Sequence, residues 1–528
     1  MYRLNLIRQH PHVRDVVALW ECDFKKMQKT DAKLGEFVKN MGRQSGGADD
    51  AGSFTPPLDP RNGFYGGRTN GVCLHRKCTE GEKIKYVDVC SLYPYICKYG
   101  RFPTGHPTVL YAPPIEQLFD IHGMIQCRVL PPGDLYHPVL PYRTNDKLYF
   151  PLCRTCADTG YSAGPCPHDD DQRSWTSTYA TVELHHAVRE CGYRVLKIYD
   201  AWHFDSFEQY DPHTAQGGLF TGYVDAFFKM KQESSGYPVH CDTEQKKQQY
   251  VQEVFRKEGV MLDASQIAPN PGKRAISKSL LNNLWGKLSQ RNNMDANVFV
   301  SDLPQFYNIL RNADIEVKDI SLINEDVLLI TYATTNQSVT PHGASNVAIA
   351  SWVTAQARLK LYSGIHPLGD RCLYFDTDSI IYVHKESEPC PTIGDSLGEW
   401  TDEIEEGNWI DEFTTCGPKN YAYKLHHTDK KGTRTICKIR GFTLNVRANK
   451  EVNIEKMIEI VNHPDRNGIS VPVPYPHKIH RKGLKRGCGI ISRCESRAYR
   501  FVYTKRRIVP DPNTNHLTYT LPYGFKLW

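Results

Sequence analysis

The chain has 528 residues, 40% hydrophobic and 23% charged, with a formal net charge of +6. This is an ordinary soluble globular composition, long enough for about two to four domains. It excludes membrane-spanning helices, since no apolar run approaches the ~20 residues such a helix needs. Met1 to His10 contain no long apolar core, which argues against a secretory signal and for an intracellular protein, nuclear in a eukaryotic host. The 17 cysteines are odd in number and scattered, so a disulfide framework is not expected.

Taken in chain order, Gln44 to Pro60 is rich in Gly, Asp, Ser and Pro and reads as a linker. Ile84 to Val89 is a short strand whose two-residue period puts Ile84, Tyr86 and Asp88 on one face. Pro94 then ends the strand and starts a turn or helix. Cys153, Cys156, Cys166 and His168 give C-x-x-C followed by C-x-H. That spacing suits a structural Zn2+, or it is a set of reduced surface cysteines in a variable insertion. A helix is expected over Thr181 to Glu190 and a strand over Tyr193 to Tyr199.

Pro271 to Gln290 reads as a helix with Arg274, Lys278, Asn282 and Trp285 on one face and Leu280, Leu281, Leu284 and Leu288 on another. A cationic stripe ending in an amide and an aromatic suits a nucleoside triphosphate; the alternative is a solvated face with a partly buried tryptophan. Ala348 to Tyr362 is helical. Leu373 to Val383 reads as strand, tight turn and strand, with Asp376-Thr377-Asp378 at the bend. An isolated D-x-D turn can be a solvated loop. Two crowded carboxylates raise one another's pKa, however, and a hard divalent cation removes that conflict. The acidic stretch Trp400 to Glu412 offsets basic regions elsewhere. The densest of these, His477 to Arg486, suits phosphate-backbone contact, or is a solvated loop or nuclear-import tag.

Five stretches in order resemble the motifs of family B DNA polymerases. Asp88-Val89-Cys90-Ser91-Leu92-Tyr93-Pro94 resembles D-x-x-S-L-Y-P, and Tyr374 to Ser379 resembles Y-x-D-T-D-S. Lys278 to Lys287 resembles K-x-x-x-N-S-x-Y-G, with Asn283 for serine and Trp285 for tyrosine. Lys419-Asn420-Tyr421 resembles K-x-Y. Phe64-Tyr65-Gly66-Gly67 resembles the Y-x-G-G element of the protein-primed branch, which is found in self-synthesising DNA transposons, linear plasmids and some viruses.

The resemblance implies an α+β right-hand fold with an antiparallel-sheet palm, helical fingers, a small thumb and two insertions. The implied division is 1–60 N-terminal remnant and linker, 61–110 first part of the palm and 111–210 an insertion contacting a priming protein. Then follow 211–292 fingers, 293–345 a second, β-rich insertion, 346–429 second part of the palm, and 430–528 a strand- and loop-rich thumb. Asp88 and Asp378 are implied to bridge two Mg2+ (or Mn2+) ions, with Asp376 assisting and the Val89 carbonyl as a further ligand. Backbone N–H groups of Ser91 and Leu92, with Lys278, Arg274 and Lys231 (Lys229 its rival), are implied to meet the triphosphate. Tyr93 is implied to lie under the sugar, and Asn282 and Trp285 to flank the nascent base pair. Tyr65, Gly66 and Gly67 are implied to contact the template, Gly286 to permit close approach of the template or base pair, and Lys419 and Tyr421 to hold the primer terminus. The Asn283 and Trp285 departures bear on base-pair fidelity.

The implied partners are template and primer DNA, deoxynucleoside triphosphates and a terminal protein, with no membrane. Residues 1–60 contain no D-x-E and are far too short for the exonuclease that relatives carry there, so intrinsic proofreading is not expected. Two rivals stand beside this reading: a catalytically silent nucleic-acid-binding remnant of a mobile-element polymerase, and a reverse transcriptase or RNA polymerase.

Overall fold

The computed structural model describes residues 21–31, 55–335, 338–339, 343–482, 489–511 and 516–526. Contacts divide the chain into Met1–Pro57 and Leu58–Trp528. In the first unit the helix Glu21–Thr30 is described; most of the linker expected over Gln44 to Pro60 lies outside the described residues.

The second unit is built on a nine-stranded antiparallel sheet. Its main path runs Thr69–Gly71, Cys372–Asp376, Ser379–His384, Lys83–Val89, Ile410–Gly417, Asn420–Leu425, Thr435–Ile439. Trp400–Asp402 also pairs with Lys83–Val89, and His75–Lys77 with Ile410–Gly417. Both faces are buried, because side chains alternate along each strand. Val87, Val89, Phe375 and Ile380 face one core, shared with the helix Val347–Ile365. Tyr86, Tyr374, Phe413, Tyr421 and Tyr423 face a second. The helix is buried nearly all round, as its apolar composition requires, and the Asn346 side chain caps it by accepting from Ile349 N at 3.1 Å.

Residues 108–203 hold a four-stranded antiparallel sheet in the order Thr108–Tyr111, Arg194–His203, Gly123–Leu130, Trp175–Ala180. The helix Thr181–Glu190 follows directly. Three helices come next: Thr221–Glu233, Glu244–Glu258 and Pro271–Leu288. The first two are tied to the helix Leu92–Tyr99 by Lys98, fully buried, whose Nζ donates to Asp225 Oδ1 and to the Glu258 carbonyl, both at 2.5 Å. Residues 293–345 contain a three-stranded sheet, Ala296–Val300, Leu328–Thr334 and Ile315–Leu322, and the helix Leu303–Arg311.

Residues 430–528 depart from expectation. They include the helices Val446–Glu451 and Ile454–Asn462 beside a long hairpin, Ser470–Lys482 with Gly489–Arg500. The helix signals are present in the sequence. Asn445 and Asn453 side chains accept from Ala448 N and Lys456 N, each at 2.9 Å. Ile454, Met457, Ile460 and Val461 recur at helical spacing and are buried. The pair Arg507–Val509 and Tyr519–Leu521 leaves this region and returns to the central sheet, where Leu74 N donates to the Thr518 carbonyl at 2.7 Å. No helix of the described residues is long and apolar enough to cross a membrane.

Candidate active site

Strand register brings the acids together. Ser379 lies opposite Asp88, and Thr401 opposite Asp88 on the other side. Val89 N donates to the Asp378 carbonyl at 2.7 Å, which locks the hairpin turn to the Asp88 strand. Burial pushes the Asp88 carboxyl up to about 8; Asp378 and Glu403 add to this, while Lys278 and Lys438 oppose it. Burial, and then Asp376, pushes Asp378 up to about 6. Two half-buried acids set this close resist ionising together, and a divalent cation between them would relieve that conflict. The donors fit a hard divalent ion: two carboxylates and the Val89 carbonyl, leaving other positions to water or phosphate oxygens.

Asp376 lies beside Asp378, as expected, but its side chain is already paired. Its carboxylate accepts from Lys419 Nζ at 2.7 and 2.9 Å and from Thr69 Oγ1 at 2.7 Å. Asp88 and Asp378 line a cleft of about 610 Å³ that Asp376 does not line. The trio is therefore a pair plus an acid neutralised by Lys419. Glu403, which no sequence motif marks, lines the same cleft as the pair. It sits in the acidic stretch, and only pairing of Trp400–Asp402 with the Asp88 strand reveals its position.

Ser91 in this cleft (φ 52°), Thr377 in the hairpin turn (61°) and Lys419, the partner of Asp376 (57°), adopt positive φ. Such strain persists only where the surroundings hold it. Thr377 N donates to the Arg68 carbonyl at 2.9 Å, and a Cβ on Gly67 would meet Thr377 Cγ2 at 2.9 Å. Gly67 thus gives its close approach to the Asp-Thr-Asp turn, where the sequence implies an approach to the template.

The same cleft is also lined by cations from two helices. Lys231, Arg274, Lys278, Asn282 and Trp285 line the cleft with Ser91, Leu92 and Tyr93. Pro271 opens the helix, and the Asn270 side chain caps it by accepting from Lys273 N at 3.0 Å. Lys231 Nζ donates to Ser91 Oγ at 3.3 Å, and burial lowers its pKa. Its rival Lys229 pairs instead with Glu233 at 3.8 Å. Trp285 stacks on Tyr93, centroids 4.7 Å apart and 17° between planes; burial pushes the Tyr93 phenol up to about 12. Gly286 stands near the end of this helix, where a Cβ would meet no described atom within 4 Å.

Two expected DNA contacts are core residues. Tyr65 is 2% exposed, hydrogen-bonds through its hydroxyl with Ser177 and stacks on Tyr179. Tyr421 is 5% exposed, its hydroxyl 3.3 Å from that of Tyr86. A motif letter carries no burial, and alternation along Asn420–Leu425 turns Tyr421 into the aromatic core. Neither side chain can reach a nucleic acid without unpacking. Gly66 is exposed. Beneath it lies Arg358, also outside every motif, whose guanidinium donates to the Tyr65 carbonyl at 2.7 Å and the Gly66 carbonyl at 3.1 Å. The same guanidinium grips buried Glu183 at 2.7 and 2.6 Å.

Away from the cleft, Cys153, Cys156, Cys166 and His168 do converge: their ligand atoms lie within 4.8 Å of one another. Of the basic segment, residues 483–488 lie outside the described residues; Lys478 and His480 both pair with Glu495.

Residues 60–241 match the family described as DNA polymerase type B, organellar and viral. A protein of Neurospora intermedia described as "Probable DNA polymerase" is 23% identical over 395 residues, 72% of this chain and 32% of that protein. The chain thus spans about a third of the length of the curated relative it matches. Among solved structures, Phi29 DNA polymerase complexed with primer-template DNA and incoming nucleotide substrates shares the fold at a TM-score of 0.51 and 14% identity, over 95% of this chain and 78% of that one. The post-translocation binary complex of the same polymerase gives 0.50 and 16%, over 91% and 67%. These likenesses establish an α+β polymerase fold. With the family match over residues 60–241, they lead to one conclusion: this chain has a polymerase fold and is similar, over about a third of its length, to the DNA polymerases of type B, organellar and viral.

Proposed function

We propose that the chain is a DNA-dependent DNA polymerase that adds deoxynucleotides to a primer 3′-hydroxyl or to a hydroxyl of a priming protein. One observation carries the reading: a single cleft is lined by Asp88 and Asp378 from the sheet and by Lys231, Arg274 and Lys278 from two helices. Carboxylates alone would repel a triphosphate, and cations alone could not organise a displacement at its α-phosphate. The descriptions of the Neurospora relative and of the nucleotide-bound Phi29 complex support it.

Asp88 and Asp378 would hold two Mg2+ ions, which supply charge stabilisation to the attacking and leaving oxygens. Lys278, Arg274 and Lys231 bind and orient the phosphates, and the Ser91–Leu92 backbone offers N–H groups at the strained start of its helix. Lys419, held by Asp376, lines a smaller cleft with Arg440, which suits primer phosphates. Gly66 and Gly286 offer open backbone to the template strand.

Primer extension with Mg2+, deoxynucleotides and an annealed oligonucleotide tests the reading. A folded chain that lengthens no primer and initiates on no protein hydroxyl would favour the silent remnant. Lys278→Ala is expected to lower kcat/KM for nucleotide by about 10–100-fold, or about 1.4–2.7 kcal/mol, with KM carrying much of the change. Tyr93→Val is expected to raise ribonucleotide insertion by about tenfold or more, about 1.4 kcal/mol of lost discrimination, since the stacked ring blocks a 2′-hydroxyl. An unchanged sugar preference would remove Tyr93 from that role.

A further inference from the structure

We propose that Cys153, Cys156, Cys166 and His168 bind one structural zinc ion, and that this ion clasps segment 516–526 onto the first insertion. Zinc with S at about 2.3 Å and N at about 2.0–2.1 Å in a tetrahedron sets S···S near 3.8 Å and S···N near 3.5 Å. Here Cys156 Sγ and Cys166 Sγ are 3.6 Å apart. His168 Nδ1 stands 3.5 Å from Cys153 Sγ, 3.3 Å from Cys156 Sγ and 3.6 Å from Cys166 Sγ. The three thiols are free and buried. Packing alone gives no reason for three sulfurs and an imidazole nitrogen to meet at those spacings.

The second part of the proposal rests on what the ligand loop touches. Leu152 N, next to the first ligand, donates to the Tyr523 carbonyl at 2.6 Å, and Cys166 N donates to the Phe525 carbonyl at 3.1 Å. Lys526 N donates to the Gly133 carbonyl at 2.8 Å. Gly524, at φ 92°, packs so closely that a Cβ would lie 2.4 Å from Cys153 N. The same segment is stitched to the central sheet, where Thr520 Oγ1 donates to the Val72 carbonyl at 2.6 Å. A tris-thiolate, mono-imidazole zinc centre carries one net negative charge, and Arg507 is close enough to Cys156 and Cys166 for their charges to interact. The ion therefore fixes a route from the insertion, through segment 516–526, to the sheet that carries Asp88. This does not depend on the polymerase reading.

The full chain, purified under reducing conditions and supplied with zinc, is expected to hold about one zinc ion, read by elemental mass spectrometry. Cobalt substitution should give the visible absorption of a tetrahedral thiolate site. Cys156→Ser and His168→Ala are expected to retain less than about a tenth of the metal, and Cys390→Ser, exposed and elsewhere, all of it. Chelation should speed hydrogen exchange at the Leu152, Cys166 and Lys526 amides by about tenfold or more, but not in the helix Leu92–Tyr99. Gly524→Val keeps every ligand yet should lose zinc to chelator at least about tenfold faster. A native chain without stoichiometric zinc or a cobalt thiolate spectrum overturns the site even if the cysteine variants fail to fold. Stoichiometric zinc with unchanged exchange on chelation and unchanged retention in Gly524→Val overturns the clasp.

Discussion

Asp378→Asn is expected to cut primer extension by about 10³-fold or more, roughly 4 kcal/mol of transition-state stabilisation, and Asp88→Asn by a similar factor. Loss of activity alone could reflect misfolding, so stability supplies the second readout. Both carboxyls have folded-state pKa values above the ordinary 3.8, about 8 for Asp88 and about 6 for Asp378. A raised acid disfavours the folded chain once it ionises. For metal-free protein the penalty is therefore absent below pH ~4. It grows as pH rises, levelling off near pH 6 for Asp378 and near pH 8 for Asp88. Asparagine carries no such charge. In chelator at about pH 8 the variants should melt no lower than the native chain, and the difference should shrink toward about pH 4. Adding Mg2+ should raise the native Tm and leave the variants' unchanged. Variants that melt well below the native chain in chelator would show that these acids serve packing.

The other large effect is expected at Arg358, which lies in no motif. It is 3% exposed and Glu183 is 1% exposed, and they form a two-point ion pair that also supports the Tyr65 and Gly66 carbonyls. Arg358→Met leaves Glu183 charged, buried and unpaired, at a cost of about 3–5 kcal/mol read by denaturant unfolding. Replacing both, Glu183→Leu with Arg358→Met, should recover at least about half of that, because apolar substitutes remove the desolvation cost together with the pair. Extension should stay depressed in the double variant. The Tyr65–Gly67 loop has lost its donors, and that loop bears on the strained Thr377 turn. Native activity in a stable double variant would confine Arg358 to stability.

What can be read along the chain is local. The helix Thr181–Glu190 has its expected bounds, and the hairpin around Asp376–Asp378 and the helix from Pro271 follow from period and punctuation. The Cys/His spacing anticipates a cluster whose atoms do meet. The two helices after residue 445 carry caps and periodicity in plain view, although no family motif lies in them. Lys278, Asn282 and Trp285 can be placed on one helical face because 3.6 residues per turn is a property of the helix itself.

The sequence by itself determined most of the elements, the order of the stretches that resemble family B motifs and the chemical kinds of side chain available for a cation and a triphosphate. The tertiary structure alone decided which of these meet. It paired Asp376 with Lys419 and left Asp88 and Asp378 to the cleft; it brought Glu403 in across a strand pair, buried Tyr65 and Tyr421, and joined Arg358 to Glu183 across 175 residues. The reason is physical: secondary structure follows from interactions a few residues apart, whereas burial and charge pairing are set by which faces of distant strands and helices the hydrophobic cores press together.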